Sequence, residues 1–218
     1  MDFTWGVGLT TAPRKNSTLE ITLKSVHEAG WENPDIFNDK DKVGSWKTWL
    51  DSLRILVEKY PKANAYLMLQ DDIILCKNVR SYLERTLWPD SQDRIAVCSF
   101  YTSAIYFQST PGWHPLKLGK ETPFNLHGEL LCGVTLLFPN IIAKKILAEN
   151  QANPGEKSLD VRIGHWAKSQ GLTPWMHSPS LAQHIALTNS ALTHNNISPR
   201  RYAADFIGSE GNPWDYVS

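Results

Sequence analysis

The stretch Ala65-Tyr66-Leu67-Met68-Leu69-Gln70-Asp71-Asp72 decides the fold. Five apolar residues in succession, without polar alternation, fit a strand covered on both faces, as in the sheet of an α/β protein. The run then stops on two carboxylates. A strand that ends this way puts charge at the carboxyl edge of its sheet, where open α/β sheets bind ligands. Asp is also common at turns and helix N-caps, so the pair takes its meaning from the strand before it.

Upstream, residues 5–11 read as an opening strand, and Pro13 punctuates a loop over 12–15. Ser17 or Thr18 is placed to cap a helix running through Leu19, Ile21, Leu23 and Val26 to a stop at Gly30. Residues 34–37 form a second short strand. Residues 44–60 carry Trp46, Trp49, Leu50, Leu53, Leu56 and Val57 at helical spacing. Downstream, the pattern predicts a helix over 79–87, a buried strand over 95–100, and an irregular loop or small hairpin over 102–126. A strand over 132–138 follows, then a helix from Pro139 to about residue 150. Another helix covers 158–169, with Gly171 as its cap. The segments 175–177 and 179–185 precede a polar tail from residue 191. This alternation predicts an α/β fold with a mostly parallel central sheet.

The 218 residues are 42% hydrophobic, enough for one sizeable core. Basic and acidic residues balance at 22 each, which excludes a generic basic nucleic-acid binder. The odd cysteine count and wide spacing of Cys76, Cys98 and Cys132 exclude a disulfide framework and a structural zinc site. The start Met1-Asp2-Phe3-Thr4-Trp5 shows no secretory pattern, and no apolar run is long enough to span a bilayer. These features predict a soluble, cytoplasmic protein without a membrane partner, in the host cytoplasm if the chain is viral.

Several residues carry candidate chemistry. Asp71 and Asp72 suit Mn²⁺ or Mg²⁺, which need only one or two protein carboxylates beside a diphosphate. Thr10, Thr11, Pro13 and Arg14 follow the first strand, where hydroxyls, backbone N–H groups and a guanidinium hold ribose and phosphates. Asp39 is a further acceptor for a base or ribose, within a charged loop. Asp160 opens the 158–169 helix, where the macrodipole stabilises it; it is also placed to act as general base toward a hydroxyl. Glu129 competes for that role. His184 offers an imidazole that could complete a metal site with Asp72.

Taken in order, the residue 10–14 loop, Gln70-Asp71-Asp72, the segments 133–138 and 160–166, and Ser178-Pro179-Ser180-Leu181-Ala182-Gln183-His184-Ile185 resemble a GT-A-type glycosyltransferase. The last segment resembles the "PSL-x-QH" stretch of the N-acetylglucosaminyltransferase IV family and related viral and bacterial enzymes. The resemblance implies one glycosyltransferase domain over 1–218. Its nucleotide-sugar-binding half would be 5–100, its acceptor and catalytic half 101–190, and its tail 191–218. It implies Asp72 as metal ligand with Asp71 assisting, His184 near the metal or diphosphate, and a UDP-sugar donor. The sequence departs from the family at Gln70, where an acidic residue is usual, and at Ala186, where Gly often follows.

The tail Arg200-Arg201-Tyr202-Ala203-Ala204-Asp205-Phe206-Ile207-Gly208 is similar to small phage enzymes associated with TET-type oxygenases and thought to glycosylate 5-hydroxymethylcytosine in DNA. That implies DNA with a hydroxymethylated pyrimidine as acceptor, with Lys15, Lys117, Lys120, Arg200 and Arg201 as basic contacts. Trp113 or Tyr106 would stack on a flipped base. A glycan, lipid or protein acceptor is the alternative. A non-catalytic nucleotide- or sugar-binding module and a metal-dependent nucleotidyltransferase are rivals from other classes.

Overall fold

The computed structural model describes residues 2–106, 108–119, 130, 133–149, 158–185 and 202–216. The elements, in chain order, are β1 (Trp5–Thr11), α1 (Leu19–Glu28), β2 (Asp35–Asn38), α2 (Ser45–Lys59), β3 (Ala65–Gln70), β4 (Ile73–Leu75), α3 (Val79–Thr86) and β5 (Ile95–Ser99). There follow β6 (Gly112–Pro115), β7 (Thr135–Pro139), α4 (Asn140–Glu149), α5 (Leu159–Ser169), β8 (Thr173–Ser178) and β9 (Ala182–His184).

Seven strands form one sheet in the order β2-β1-β3-β7-β5-β8-β6. Pairing is parallel for β1 with β2, β1 with β3, and β5 with β8. It is antiparallel where β7 meets β3 and β5, and where β6 meets β8. Five strands therefore point one way and two run against them. The expected α/β domain with a mostly parallel central sheet is the architecture found. β4 and β9 make a separate antiparallel ribbon beside it.

The apolar run in β3 has a direct explanation. Ala65, Leu67 and Leu69 enter one core, with Val26 of α1 and Leu83 of α3. Tyr66 and Met68 enter a second core on the other face, with Leu53 of α2, Ile142 of α4 and Ile163 of α5. Strict alternation between two apolar layers leaves no polar face to interrupt the sequence. In β5 the alternation slips: Ala96 and Val97 both join the second core, and the register against β8 shifts between Ile95 and Val97, which marks a bulge.

Some boundaries differ from the sequence expectation. Pro139 closes β7 and α4 begins at Asn140. Gln170 caps α5 and Gly171 is the residue beyond it, with φ of 67°. The Gly171 and Leu172 N–H groups bond back to the Lys168 and Ala167 carbonyls, a Schellman closure that favours glycine at the left-handed position. Among its described residues the 102–126 segment yields one short edge strand, β6. Among the described residues no helix is long and apolar enough to cross a membrane.

Candidate functional site

β1 and β3 run parallel and adjacent, so their carboxyl ends bring residues 10–14 beside residues 70–72. Asp71 is almost fully buried and is held from three sides. Thr11 Oγ1 donates to one carboxylate oxygen and Arg14 Nη2 to the other. Thr18 Oγ1 donates to the Asp71 carbonyl at 2.6 Å. Thr18 occupies the N-cap position of α1 without making a side-chain cap bond, and its hydroxyl serves the β3 edge instead. Thr10 Oγ1 bonds the Leu69 carbonyl at 3.1 Å.

Asp72 is arranged differently. His184 Nε2 lies 3.3 Å from its Oδ2, and Arg14 Nη1 lies 3.6 Å from the same oxygen. The β4–β9 ribbon sets this contact: Ile73 pairs with His184, and the Ile185 N–H donates to the Asp72 carbonyl at 2.8 Å. Asp72 Oδ1, His184 Nδ1, and Arg14 Nε and Nη1 are buried without hydrogen-bond partners. Burial pushes the Asp72 carboxyl up, but the adjacent His184 and Arg14 outweigh it and hold Asp72 below its ordinary range. Burial raises the Asp71 carboxyl, against the pull of Thr11 and Arg14.

Arg14, Asp71 and Asp72 face a cavity of about 290 Å³, close to the lower end of small-molecule sites, while His184 backs Asp72 and is not part of the lining. Thr10, Thr11, Pro13, Arg14, Asp39, Asp71 and Asp72 all line it. Both oxygens of Asp39 are engaged, accepting the Val43 N–H at 2.8 Å and the Gly44 N–H at 3.0 Å. Asp39 thus shapes the turn into α2, and the start of that helix, with Lys42, Ser45 and Thr48, forms a further wall. Sequence reading missed these three residues. Their signal is a helix that starts just past the carboxyl end of a parallel strand, where free N–H groups face the ligand edge.

Asp160 stands in the first turn of α5, and its neighbour Leu159 lines the cavity. Asp160 Oδ1 accepts from the Ser158 hydroxyl and, at 3.0 Å, from the Val161 N–H. A Cβ on Gly133 would sit 3.3 Å from Asp160 Cβ, so glycine permits that close approach. Gln70 Nε2 donates to the Gly133 carbonyl at 3.3 Å. A carboxylate could not make that bond, which gives the departure at Gln70 a physical role.

Glu129, Lys120, Arg200 and Arg201 lie outside the described residues. Lys15 and Lys117 are exposed. Tyr106 is buried in the second core, and Trp113 packs edge-on against His177 with ring centroids 5.0 Å apart. Among the described residues no group of three or more His, Cys, Asp or Glu side chains is placed to hold a metal ion. The pair Asp72 and His184 offers fewer donors than a closed protein cage. A two-donor set suits Mg²⁺ or Mn²⁺ when phosphate and water complete the shell.

No protein-family model matches the chain, and no curated protein matches it significantly. Solved structures do. The chain is similar to A197 from STIV, with a TM-score of 0.50 at 10% identity, covering 82% of this chain and 85% of that one. What the two share is the fold. Weaker likenesses are to a cytidylyltransferase from Leptospira borgpetersenii (TM-score 0.46, 11% identity, 82% and 78% covered) and to a glycosyltransferase involved in the glycosylation of the major capsid of PBCV-1 (0.35, 11%, 79% and 93%).

Proposed function

We propose that this chain is a metal-assisted glycosyltransferase that takes a UDP-sugar and passes the sugar to a hydroxyl. The observation that supports it is the cavity wall at Arg14 and Asp72. Arg14 and Asp72 both line one cavity at the carboxyl edge of the sheet, and the guanidinium Nε and Nη1 and the carboxylate Oδ1 are buried without hydrogen-bond partners. Buried polar groups are otherwise almost always paired, so the wall is complementary to a polar ligand.

Charge favours a diphosphate with a cation. Arg14 and Lys42 stand against three carboxylates, Asp39, Asp71 and Asp72, in the cavity lining. A nucleoside diphosphate entering it would bring uncompensated negative charge. Asp72 and His184 are the residues that would hold Mn²⁺ or Mg²⁺. When bound, the ion would neutralise charge on the departing nucleoside diphosphate. Arg14 Nε and Nη1 would donate to phosphate oxygens. Asp160 would take the proton of the acceptor hydroxyl, giving direct displacement with inversion. Glu129 is the alternative base.

The proposed acceptor is a 5-hydroxymethylated pyrimidine in DNA, supported by the resemblance of residues 200–208. The test is to incubate the protein with Mn²⁺, UDP-sugars and hydroxymethylcytosine-containing DNA, then weigh the released nucleosides. The expected result is a hexose-sized mass gain that disappears in Asp72→Asn. UDP-sugar hydrolysis without DNA modification moves the acceptor to a glycan, lipid or protein. Label transfer from a nucleoside triphosphate without any sugar would replace the proposal by a nucleotidyltransferase, and donor binding without hydrolysis or transfer would leave a non-catalytic binding module.

A further inference from the structure

The short strand β9 carries a side chain that the site as described does not use. Gln183 lies between Ala182 and His184, both buried, and is itself half-buried. Its amide engages both main-chain polar groups of Ala203. Nε2 donates to the Ala203 carbonyl at 3.1 Å, and Oε1 accepts the Ala203 N–H at 3.0 Å. The same Oε1 accepts the His184 N–H at 3.1 Å. One side chain thus imitates a strand pair toward residue 203 and satisfies the backbone of His184.

Residue 203 belongs to a segment fastened along its length. The Ala104 N–H donates to the Tyr202 carbonyl at 2.9 Å, and Ser178 Oγ donates to Asp205 at 2.7 Å. The Lys77 N–H donates to the Gly211 carbonyl at 3.1 Å, and Trp214 packs edge-on against Tyr82 at 5.2 Å. Residues 202–216 therefore form a strap behind the β4–β9 ribbon. Gln183 is the side chain that joins this strap to the backbone of the residue touching Asp72.

We infer that Gln183 is a positioning residue: it clamps the 202–216 strap to β9 and, through the His184 N–H, holds the imidazole against Asp72. Residue type decides this. Glutamine supplies one donor and a shared acceptor; glutamate keeps only the acceptor, and methionine, of similar length, keeps neither. The inference rests on the reading of Asp72 and His184 as the pair that holds a cation beside the diphosphate.

The test compares wild type with Gln183→Met and Gln183→Glu. Amide exchange at Ala203 and His184 and the His184 ring position in crystals report on the clamp. Calorimetric titration with Mn²⁺ and UDP reports on the site. In Gln183→Met, exchange should quicken at both amides, the imidazole should leave its 3.3 Å contact with Asp72, and Mn²⁺·UDP affinity should fall by about tenfold, as outer-shell changes at metal sites do. Gln183→Glu keeps the acceptor bonds and should fall between; it serves as the folded variant if the methionine protein does not fold. An unmoved His184 with wild-type affinity in the folded variant overturns the inference. Should wild type bind no Mn²⁺·UDP, the metal reading is what fails, and the His184 position still decides whether Gln183 places it.

Discussion

Asp71 and Asp72 are neighbours in sequence and opposites in use. Asp71 finds partners for its own polar groups inside the protein: both carboxylate oxygens are bonded, and its carbonyl takes the Thr18 hydroxyl. His177 is a second example of the same kind, with Nε2 against the Tyr82 hydroxyl and Nδ1 against the Pro179 carbonyl, both at 2.7 Å. A carbonyl only accepts, so Nδ1 carries the proton and Nε2 accepts from Tyr82. At the Asp72–His184 corner, one carboxylate oxygen and one imidazole nitrogen are buried without partners. The saturated region holds the architecture. The unsaturated corner leaves bonding capacity open.

The largest effect expected from this contrast is on stability at Asp71. Asp71→Ala leaves the buried Arg14 guanidinium without its closest anion and Thr11 without an acceptor. Removing one partner of a buried ion pair costs about 3–5 kcal/mol, and denaturant unfolding should show it. A loss below about 1 kcal/mol would dissolve the distinction between the two carboxylates.

Next comes the pH response of the saturated region. Burial lowers the His177 value from 6.5 to about 4 in the folded protein. The unfolded chain therefore binds a proton between pH 6.5 and about 4 that the folded chain does not, and stability falls as pH falls through that window. At 1.36 kcal/mol per pH unit the full loss is about 3 kcal/mol. His177→Gln, compared with wild type by urea unfolding at pH 7 and pH 4.5, should be less stable at neutral pH and show the shallower decline. Parallel declines would mean that His177 does not set the slope.

The smallest effect on folding belongs to the corner. Asp72→Asn should change stability by about 1 kcal/mol or less, because Arg14 keeps Asp71 as partner and one Asp72 oxygen had none to lose. Its Mn²⁺·UDP affinity should nevertheless drop by about tenfold or more. A protein that unfolds readily yet binds normally would reverse the assignment.

Much of the fold was legible from residues that repeat a physical pattern. The run at 65–69 is continuous because two cores flank it, and the stripe from Trp46 to Leu56 marks the buried side of α2. Apart from β2, read at residues 34–37, the short elements were not legible. β4 and β9 span three residues each and β6 four, too few for a period to show, and their pairing depends on chain neighbours far away. In the site, the strand-ending carboxylates and the Thr10–Arg14 loop could be read because their positions follow from strand direction. The internal use of Asp39, and the part played by Lys42, Ser45 and Thr48, could not. Those depend on how one turn folds back on its own amides.

The antiparallel β7 has a consequence for how the chain is made. β3 pairs on one side with β1, only about sixty residues earlier, and on the other with β7, about seventy residues later. During synthesis the β2-β1-β3 unit can assemble while its far edge, a row of unpaired amides and carbonyls beside an apolar surface, waits for residues 135–139. Such an edge invites pairing with other chains. A chain halted short of residue 135 would carry its ligand-edge carboxylates on an unfinished and aggregation-prone sheet, so the stretch that decides the fold must also be shielded while about seventy further residues are added.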